Sequence, residues 1–371
     1  MEKQQDEFLF SLCRQAVLEK VCSGASSFVA FRKKSRWKKL IAAYGQTQNG
    51  REDQKLDGDT LFDLASLTKP LCTALCVAAL VSKKKLDLST PLASLLCCRD
   101  YPVHWQHIRI SDLLSHSSGL PAYREYFRQF APLQQADNQE RLFSLIAREP
   151  FEYECRTSCV YSDLGHMALG RIVEGVAEDS LADFFRATIA GPIGLEEGLA
   201  FRPIGAVPAQ TKENIAATEH CPWRGRLLVG EVHDEHAWLL GGTAGHAGLF
   251  GKAPAVGELC ILLADIWHGR QRHPYMDSEV LRRFLDYTSP AGPWALGFDR
   301  PSAAHSSSGD CFSQTTVGHL GFTGTSFWID LQQDKVVVLL TNRVHPSREN
   351  NKIRQFRPWF HNCIMREISM S

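Results

Sequence analysis

The chain lacks an excess of charge of either sign: Lys plus Arg and Asp plus Glu each number 41 among 371 residues. A balanced chain makes no overall field for a polyphosphate or an anionic bilayer, so neither nucleic acid nor a membrane is expected as a partner. The locally basic run Arg32, Lys33, Lys34, Ser35, Arg36, Trp37, Lys38, Lys39 reads as a solvated turn and its flanks. Long apolar runs are missing too. The longest, Leu71 to Val81, is too short to span a bilayer. The amino terminus, MEKQQDEFLFSLCRQAV, lacks the charged-then-apolar layout of a secretory signal, so a cytoplasmic location is expected. None of the 12 cysteines forms a Cys-x-x-Cys pair. Cys72 and Cys76 fall one helical turn apart and Cys97 and Cys98 are adjacent, a pattern of small buried hydrophobes and free thiols rather than of a zinc site. Gly-x-Ser-x-Gly is absent, which counts against an α/β-hydrolase.

What is present is an ordinary globular composition, 44% hydrophobic and 22% charged, long enough for one large two-lobed domain. Residues 5–22 have helical periodicity, with Gly24 as the stop. SSFVAF and WKKLIAAYG read as a hairpin across the basic turn. TLFDLAS then leads into a helix carrying Leu71 to Val81. From about Leu86 to Arg226 helical segments such as QERLFSLIARE and DLGHMALGRIVEGVA alternate with Pro- and Gly-bearing loops. A helix near Ala255 to His268 follows. Strands return in TTVGHLGFTGTSFWIDL and KVVVLLTNRV, and a last helix runs from about Asn350 to Met365. The predicted class is α+β: one antiparallel sheet built from residues 1–85 and 227–371, flanked by helices, with residues 86–226 inserted as a helical lobe and the active site between the lobes.

Ser-x-x-Lys occurs three times, at Ser35/Lys38, Ser66/Lys69 and Ser82/Lys85. The first lies in the basic turn and the third in the charged VSKKKLD, where a lysine stays solvated and protonated. Ser66 instead opens an apolar helix, with Pro70 tolerated in the first turn. Residues three apart share a helix face, so Lys69 reaches the Ser66 hydroxyl. The helix amino terminus favours a developing oxyanion, and partial desolvation is expected to lower the Lys69 pKa and free its amine as a base. On this stretch alone, a helix-capping serine beside a surface lysine is an equal alternative.

Three landmarks in order extend the pattern: Ser66-Leu67-Thr68-Lys69, Tyr161-Ser162-Asp163 and His319-Leu320-Gly321. With the flanks IRISDLLSHSSGLP, GGTAGHAGLF and GHLGFTGTSFWIDL, the chain from about Thr60 to Asn342 resembles the serine β-lactamases and penicillin-recognising hydrolases. The likeness is greatest to the class C-like branch of D,D-peptidases and carboxylesterases. That resemblance implies a β-lactamase-like fold with Ser66 as nucleophile and Lys69 with Tyr161 for proton transfer. It also implies His319 and Gly321 on the strand bordering the site, and the Ser66 and Phe322 amides as oxyanion hole. No metal or organic cofactor is implied.

Two positions depart from the family pattern. Asp163 replaces the usual Asn, exchanging an N–H donor for a carboxylate. Leu320 replaces the usual Thr, whose hydroxyl helps bind a substrate carboxylate. Both changes count against efficient β-lactam hydrolysis and favour an ester or a peptide without a carboxylate at that subsite. In EVHDEHAW, His233 and His236 flank Asp234 and Glu235 without the His-Glu-x-x-His spacing. This reads as a loop near the cleft, with His233 or Asp234 touching substrate, rather than a metal site. His116 in SHSSGLP reads as a loop anchor, Gly321 as a point of close backbone approach to a ligand, and His319 as a donor that is charged when protonated. The expected activity is cleavage of a small ester or amide through an acyl-enzyme, carboxylesterase-like. A β-lactamase, D,D-peptidase or D-amino-acid amidase is the alternative, and a non-catalytic penicillin-binding or sensing module the second.

Overall fold

The computed structural model describes residues 2–50, 53–95, 103–132, 137–205 and 214–370. The principal sheet is antiparallel, in the order β2-β1-β10-β9-β8. It joins the amino-terminal hairpin β1 (Gly24–Lys33) and β2 (Arg36–Gly45) to β8 (Val317–Leu320), β9 (Ser326–Asp330) and β10 (Lys335–Thr341). A second, small sheet orders β3 (Phe62–Asp63), β7 (Leu249–Gly251) and β4 (Leu199–Phe201) as β3-β7-β4, and β5 (His220–Cys221) pairs with β6 (Arg226–Leu227). The helices in chain order are α1 (Glu2–Leu18), α2 (Leu75–Ser82), α3 (Ile110–Leu114), α4 (Asn138–Ala147) and α5 (Asp163–Ala177). They continue with α6 (Leu181–Phe185), α7 (Glu235–Leu239), α8 (Ala253–Trp267), α9 (Ser278–Asp286) and α10 (Ile353–Ser369).

The two-residue period of the strands divides the interior. On β1, Phe28 and Ala30 point into the core shared with α2, α5 and α8, while Ala25, Val29 and Phe31 point into a second core under α1 and α10. On β10, Val336, Val338 and Leu340 take the first side and Val337 and Leu339 the second. Burial on both faces explains why β10 reads as an unbroken apolar run rather than an alternating one. The first core continues into the helical segments, where Leu142, Leu164 and Leu169 belong to the same cluster as Phe28.

Several expectations change in detail. Helix α1 ends at Leu18, with Lys20 in a left-handed turn (φ +57°), and Gly24 opens β1 instead of stopping the helix. TTVGHLGFTGTSFWIDL is two strands, broken by a turn at Gly321–Thr325. The basic run is only partly solvated, since Arg32 and Lys39 pair with Asp265 and Glu258 of α8. The apolar segment Ala65–Ser82 is longer than its Leu71–Val81 centre and could cross a bilayer by length and composition, but 89% of it is buried in the fold. Cys72 and Cys76 are buried free thiols; Cys97 and Cys98 lie outside the described residues.

Candidate active site

Strand β3 delivers the chain to Ser66 through a strained turn. Ala65 adopts φ +47°, a left-handed conformation that costs a residue with a Cβ roughly 1–2 kcal/mol. It is held there because Asp63 Oδ1 accepts the Ala65 N–H (2.8 Å) and Asp63 Oδ2 accepts that of His233 (2.6 Å). Residues Ala65–Leu67 form one 3₁₀ turn and Lys69–Ala74 a π turn before α2 begins. The expected regular helix is therefore wound tightly at the serine and loosely at the lysine, a distortion common at functional sites. Ser66 is part-exposed on the wall of a cavity of about 610 Å³, whereas Lys69 is fully buried beneath it.

Lys69 Nζ donates to Ser66 Oγ at 2.9 Å and to the His246 carbonyl at 3.1 Å, and lies 2.7 Å from Asp163 Oδ1. Burial alone pulls the Lys69 pKa down, but the Asp163 carboxylate and the Tyr161 hydroxyl outweigh it, and the net shift is upward. The expectation of a neutral, desolvated amine is therefore wrong in sign: Asp163 turns Lys69 into an ion-paired ammonium. Asp163 is placed by the amino terminus of α5, where Ser162 is the cap. The Ser162 hydroxyl accepts from Gly165 N (3.2 Å) and donates to the Pro121 carbonyl (2.7 Å). As the first residue of α5, Asp163 carries its charge where the helix dipole favours an anion.

Tyr161 lies beside Lys69, whose Nζ is 4.8 Å from the phenol ring, and within hydrogen-bonding reach of Ser66. Burial pushes the phenol up to about 12 despite the cation, so it is a neutral donor and acceptor rather than a phenolate. His116 anchors its loop as expected: its Nδ1 accepts the Ser162 N–H at 3.0 Å, which leaves the ring proton on Nε2. His116 and the neighbouring His166 are both held well below their ordinary pKa by burial and the nearby charge of Lys69. Trp294 packs against His116 (4.6 Å) and Tyr161 (5.5 Å), closing this side of the site.

His319 of β8 also borders the cavity. Its Nδ1–H donates to the Leu320 carbonyl (2.8 Å), and burial together with Lys69 pushes it down to about 3. It is therefore a neutral imidazole at working pH: of the two roles expected, it donates a hydrogen bond, to Leu320 O, and does not offer charge. Gly321 is required for a different close approach from the one foreseen. A Cβ there would overlap Thr325 Oγ1 and meet the Leu64 carbonyl at 2.6 Å. Thr323 and Thr325 tie the same turn to the chain before the serine, donating to Asp63 O (2.7 Å) and Leu64 O (3.1 Å). The tie holds the Gly321–Thr325 turn beside the segment that leads into Ser66. The Phe322 ring is 49% exposed in the cavity wall, stacked on His233 (5.6 Å) and covered by Arg343 (4.4 Å).

The EVHDEHAW loop lines the cavity, but its polar groups are already engaged. His233 pairs with Glu219 (3.0 Å), while Asp234 caps α7 through Ala237 N and pairs with His246 (2.8 Å). His236, which spacing alone did not connect to His246, comes within 4.8 Å of it and of Asp234. Their hydrogen bonding does not suit a metal. His236 Nε2 accepts the Phe127 N–H, so its Nδ1 keeps a proton, and His246 Nε2 is taken by Asp234.

Sequence reasoning missed Trp294, the His246 carbonyl and a wall of arginines. Arg343, Arg354 and Arg357 line the same cavity, and among the described residues none has a carboxylate partner. Arg343 and Arg357 hold backbone carbonyls instead, including those of Phe322 and Gly321. Burial and mutual repulsion push Arg343 down to about 10 and Arg357 to about 9. The acids lining the same cavity are Glu125, Asp163, Asp234, Glu235 and Asp299: the first four pair with Arg128, Lys69, His246 and Arg348 respectively, and burial pushes Asp299 up to about 7. Arginines scattered through TNRV and NKIRQFR carry no motif that distance along the chain could reveal.

Residues 24–357 match the Beta-lactamase family profile. A Salmonella gallinarum protein with the provisional name D-alanyl-D-alanine carboxypeptidase is 31% identical over 318 residues, 80% of this chain and 72% of that protein. Among solved structures, EstCE1, a hydrolase with promiscuous acyltransferase activity, superposes with a TM-score of 0.72 at 20% identity, covering 96% of this chain and 99% of its own. The D-amino acid amidase of Ochrobactrum anthropi SV3 does so with a TM-score of 0.69 at 18% identity, covering 99% and 100%. At those identities the two structures speak for the fold alone, and the profile and the curated relative for the family. The chain belongs to the Beta-lactamase family and is a serine hydrolase of its α+β fold.

Proposed function

We propose that the enzyme cleaves a small amide, peptide or ester through an acyl-enzyme on Ser66, and that its preferred substrates carry a carboxylate. The observation that carries the acyl-enzyme is the Ser66 hydroxyl held 2.9 Å from Lys69 Nζ on the wall of a cavity of about 610 Å³. Ser66 Oγ attacks the carbonyl and its proton leaves by way of Lys69. The amides of Ser66 and Phe322 receive the oxyanion, and the neutral Tyr161 hydroxyl passes a proton to the leaving group before water releases the acid.

The carboxylate preference rests on the arginines. Leu320 removes a hydroxyl that would hold such a group, and from that alone a substrate without a carboxylate was expected. Arg343, Arg354 and Arg357 are uncompensated cations in the same cavity, and an anionic substrate is the partner that would relieve them. This favours D,D-carboxypeptidase-like or related amide cleavage, in line with the name of the Salmonella relative. An esterase is the second reading, favoured by the half-exposed Phe322 ring as a platform for an apolar ester.

The test compares an acyl-D-Ala-D-Ala peptide, its carboxamide and an activated aryl ester, recording intact mass during turnover of wild type, Ser66→Ala and Arg354→Ala. An acyl adduct in the wild type but not in Ser66→Ala is expected. The free acid should be preferred over the carboxamide, with a selectivity about two- to fivefold smaller in Arg354→Ala, the worth of one exposed charge contact. Equal turnover by Ser66→Ala would sink the nucleophile; indifference to the carboxylate would leave the esterase reading.

A further inference from the structure

We propose that Asp163 is the terminal acceptor of the Ser66 proton, reached through Lys69. The inference rests on the acyl-enzyme reading above and adds to it a residue that replaces the family's asparagine. Lys69 Nζ contacts Ser66 Oγ at 2.9 Å, the His246 carbonyl at 3.1 Å and Asp163 Oδ1 at 2.7 Å, with the Tyr161 hydroxyl beside them. An ammonium has three N–H bonds for these three acceptors and no lone pair with which to take a proton from serine. It can act as a base only after passing one of its own protons on. The other ionisable side chains grouped near it are poor exits. The Tyr161 phenol is neutral, the His116 lone pair is occupied by the Ser162 N–H, and burial makes His166 and His319 weak bases. Among the described residues, Asp163 alone is a carboxylate in direct contact with Nζ.

The proton steps balance as follows. Lys69 gives a proton to Asp163 Oδ1, leaving an amine and a carboxylic acid. The amine lone pair turns to Ser66 and takes the hydroxyl proton as the Oγ–carbonyl bond forms, so Lys69 is again an ammonium and Asp163 remains protonated. As the intermediate collapses, the leaving group takes a proton from Lys69 by way of Tyr161, and Asp163 returns its proton to Lys69. Water repeats the same sequence to release the acyl group. No oxidant, metal or further reactant enters. Substrate binding itself prepares the first transfer. Lys69 is fully buried and the Asp163 side chain is 18% exposed, so a bound substrate removes the water that supports the separated charges and favours the neutral pair.

The groups facing Asp163 are Lys69 from the π turn, Tyr161 from its own loop, Tyr123 from the loop before Tyr126, and His236 of α7. Asp163→Asn separates the roles, since it restores the family's residue while deleting the acceptor. In single-turnover acylation by an aryl ester, the wild type should show a plateau from about pH 6 to 8. Asp163→Asn should acylate Ser66 about 100-fold more slowly at pH 7, the usual worth of a positioned base. Its rate should also rise tenfold per pH unit into the lysine range, because Lys69 must then lose its proton to solvent. Asp163→Glu, which keeps a carboxylate, should keep the neutral plateau and so guards against a folding defect in the amide variant. An Asp163→Asn enzyme with wild-type rate and pH profile and an intact Ser66 adduct overturns the proposal and leaves the acyl-enzyme standing. Absence of any Ser66 adduct in the wild type overturns both.

Discussion

His319 should make the fold acid-sensitive in a window that a single substitution can isolate. Its ring is 2% exposed, donates from Nδ1 to Leu320 O, and is pushed down to about 3 by burial and by Lys69. In the unfolded chain the same ring titrates near 6.5. Below that pH the unfolded chain binds a proton that the folded chain refuses, so folding stability falls as pH drops through about 6.5 and keeps falling until about 3. At pH 5 the penalty is 1.5 pH units at 1.36 kcal/mol each, about 2 kcal/mol, a large part of a typical folding free energy. The whole-protein curve would not reveal it. Asp299, pushed up to about 7 by burial, works in the opposite direction because it gains a proton on folding and strengthens the fold as pH falls. A difference curve cancels that contribution. His319→Asn retains a side-chain donor near Nδ1 and removes the titration. Denaturant unfolding of both proteins at pH 7, 6 and 5 should show the wild type losing about 2 kcal/mol more than the variant between pH 7 and pH 5, whatever their offset at pH 7. Parallel curves would refute the claim that His319 is held neutral.

Two further substitutions probe the supports of the site. Gly321→Ala would force a Cβ onto Thr325 Oγ1 and to 2.6 Å from Leu64 O, with an expected loss of about 1–3 kcal/mol in unfolding experiments and a fall in acylation rate as the Phe322 amide shifts. Adding Thr325→Ala should recover only part of both, because the Leu64 carbonyl remains; a neutral Gly321→Ala would mean that this turn does not place the amide. Tyr161→Phe should slow alkyl esters and amides at least tenfold more than activated aryl esters, whose leaving groups need no proton. Equal losses across leaving groups would argue that the phenol only packs against Trp294.

The sheet and the landmarks were readable because they depend on local pattern. Alternating and unbroken apolar runs announced β1, β2 and β10, and the helical pattern of DLGHMALGRIVEGVA announced α5 from Asp163 to Ala177. Ser66, Lys69, Tyr161, Asp163, His319 and Phe322 do converge on one cavity or its floor. What could not be read was the sign of the charge states, which depends on contacts made across the fold. The Lys69 amine was expected to be neutral because its own stretch is apolar. Asp163, 94 positions along the chain, reverses that, and nothing in either segment records the 2.7 Å between them. His319 shows the complementary case: it was read as a donor that offers charge when protonated, and burial near the same ammonium disfavours that protonated form. The arginine wall shows the third case. Leu320 was judged alone, as a lost hydroxyl. The arginines of the cavity come from the loop after β10 and from α10, elements that meet the serine only once both ends of the chain share one sheet. A motif therefore predicts which atoms meet, and the fold decides which of them carry protons. For a proton-transfer enzyme that division leaves the substrate and the base, but not the nucleophile, to be settled in three dimensions.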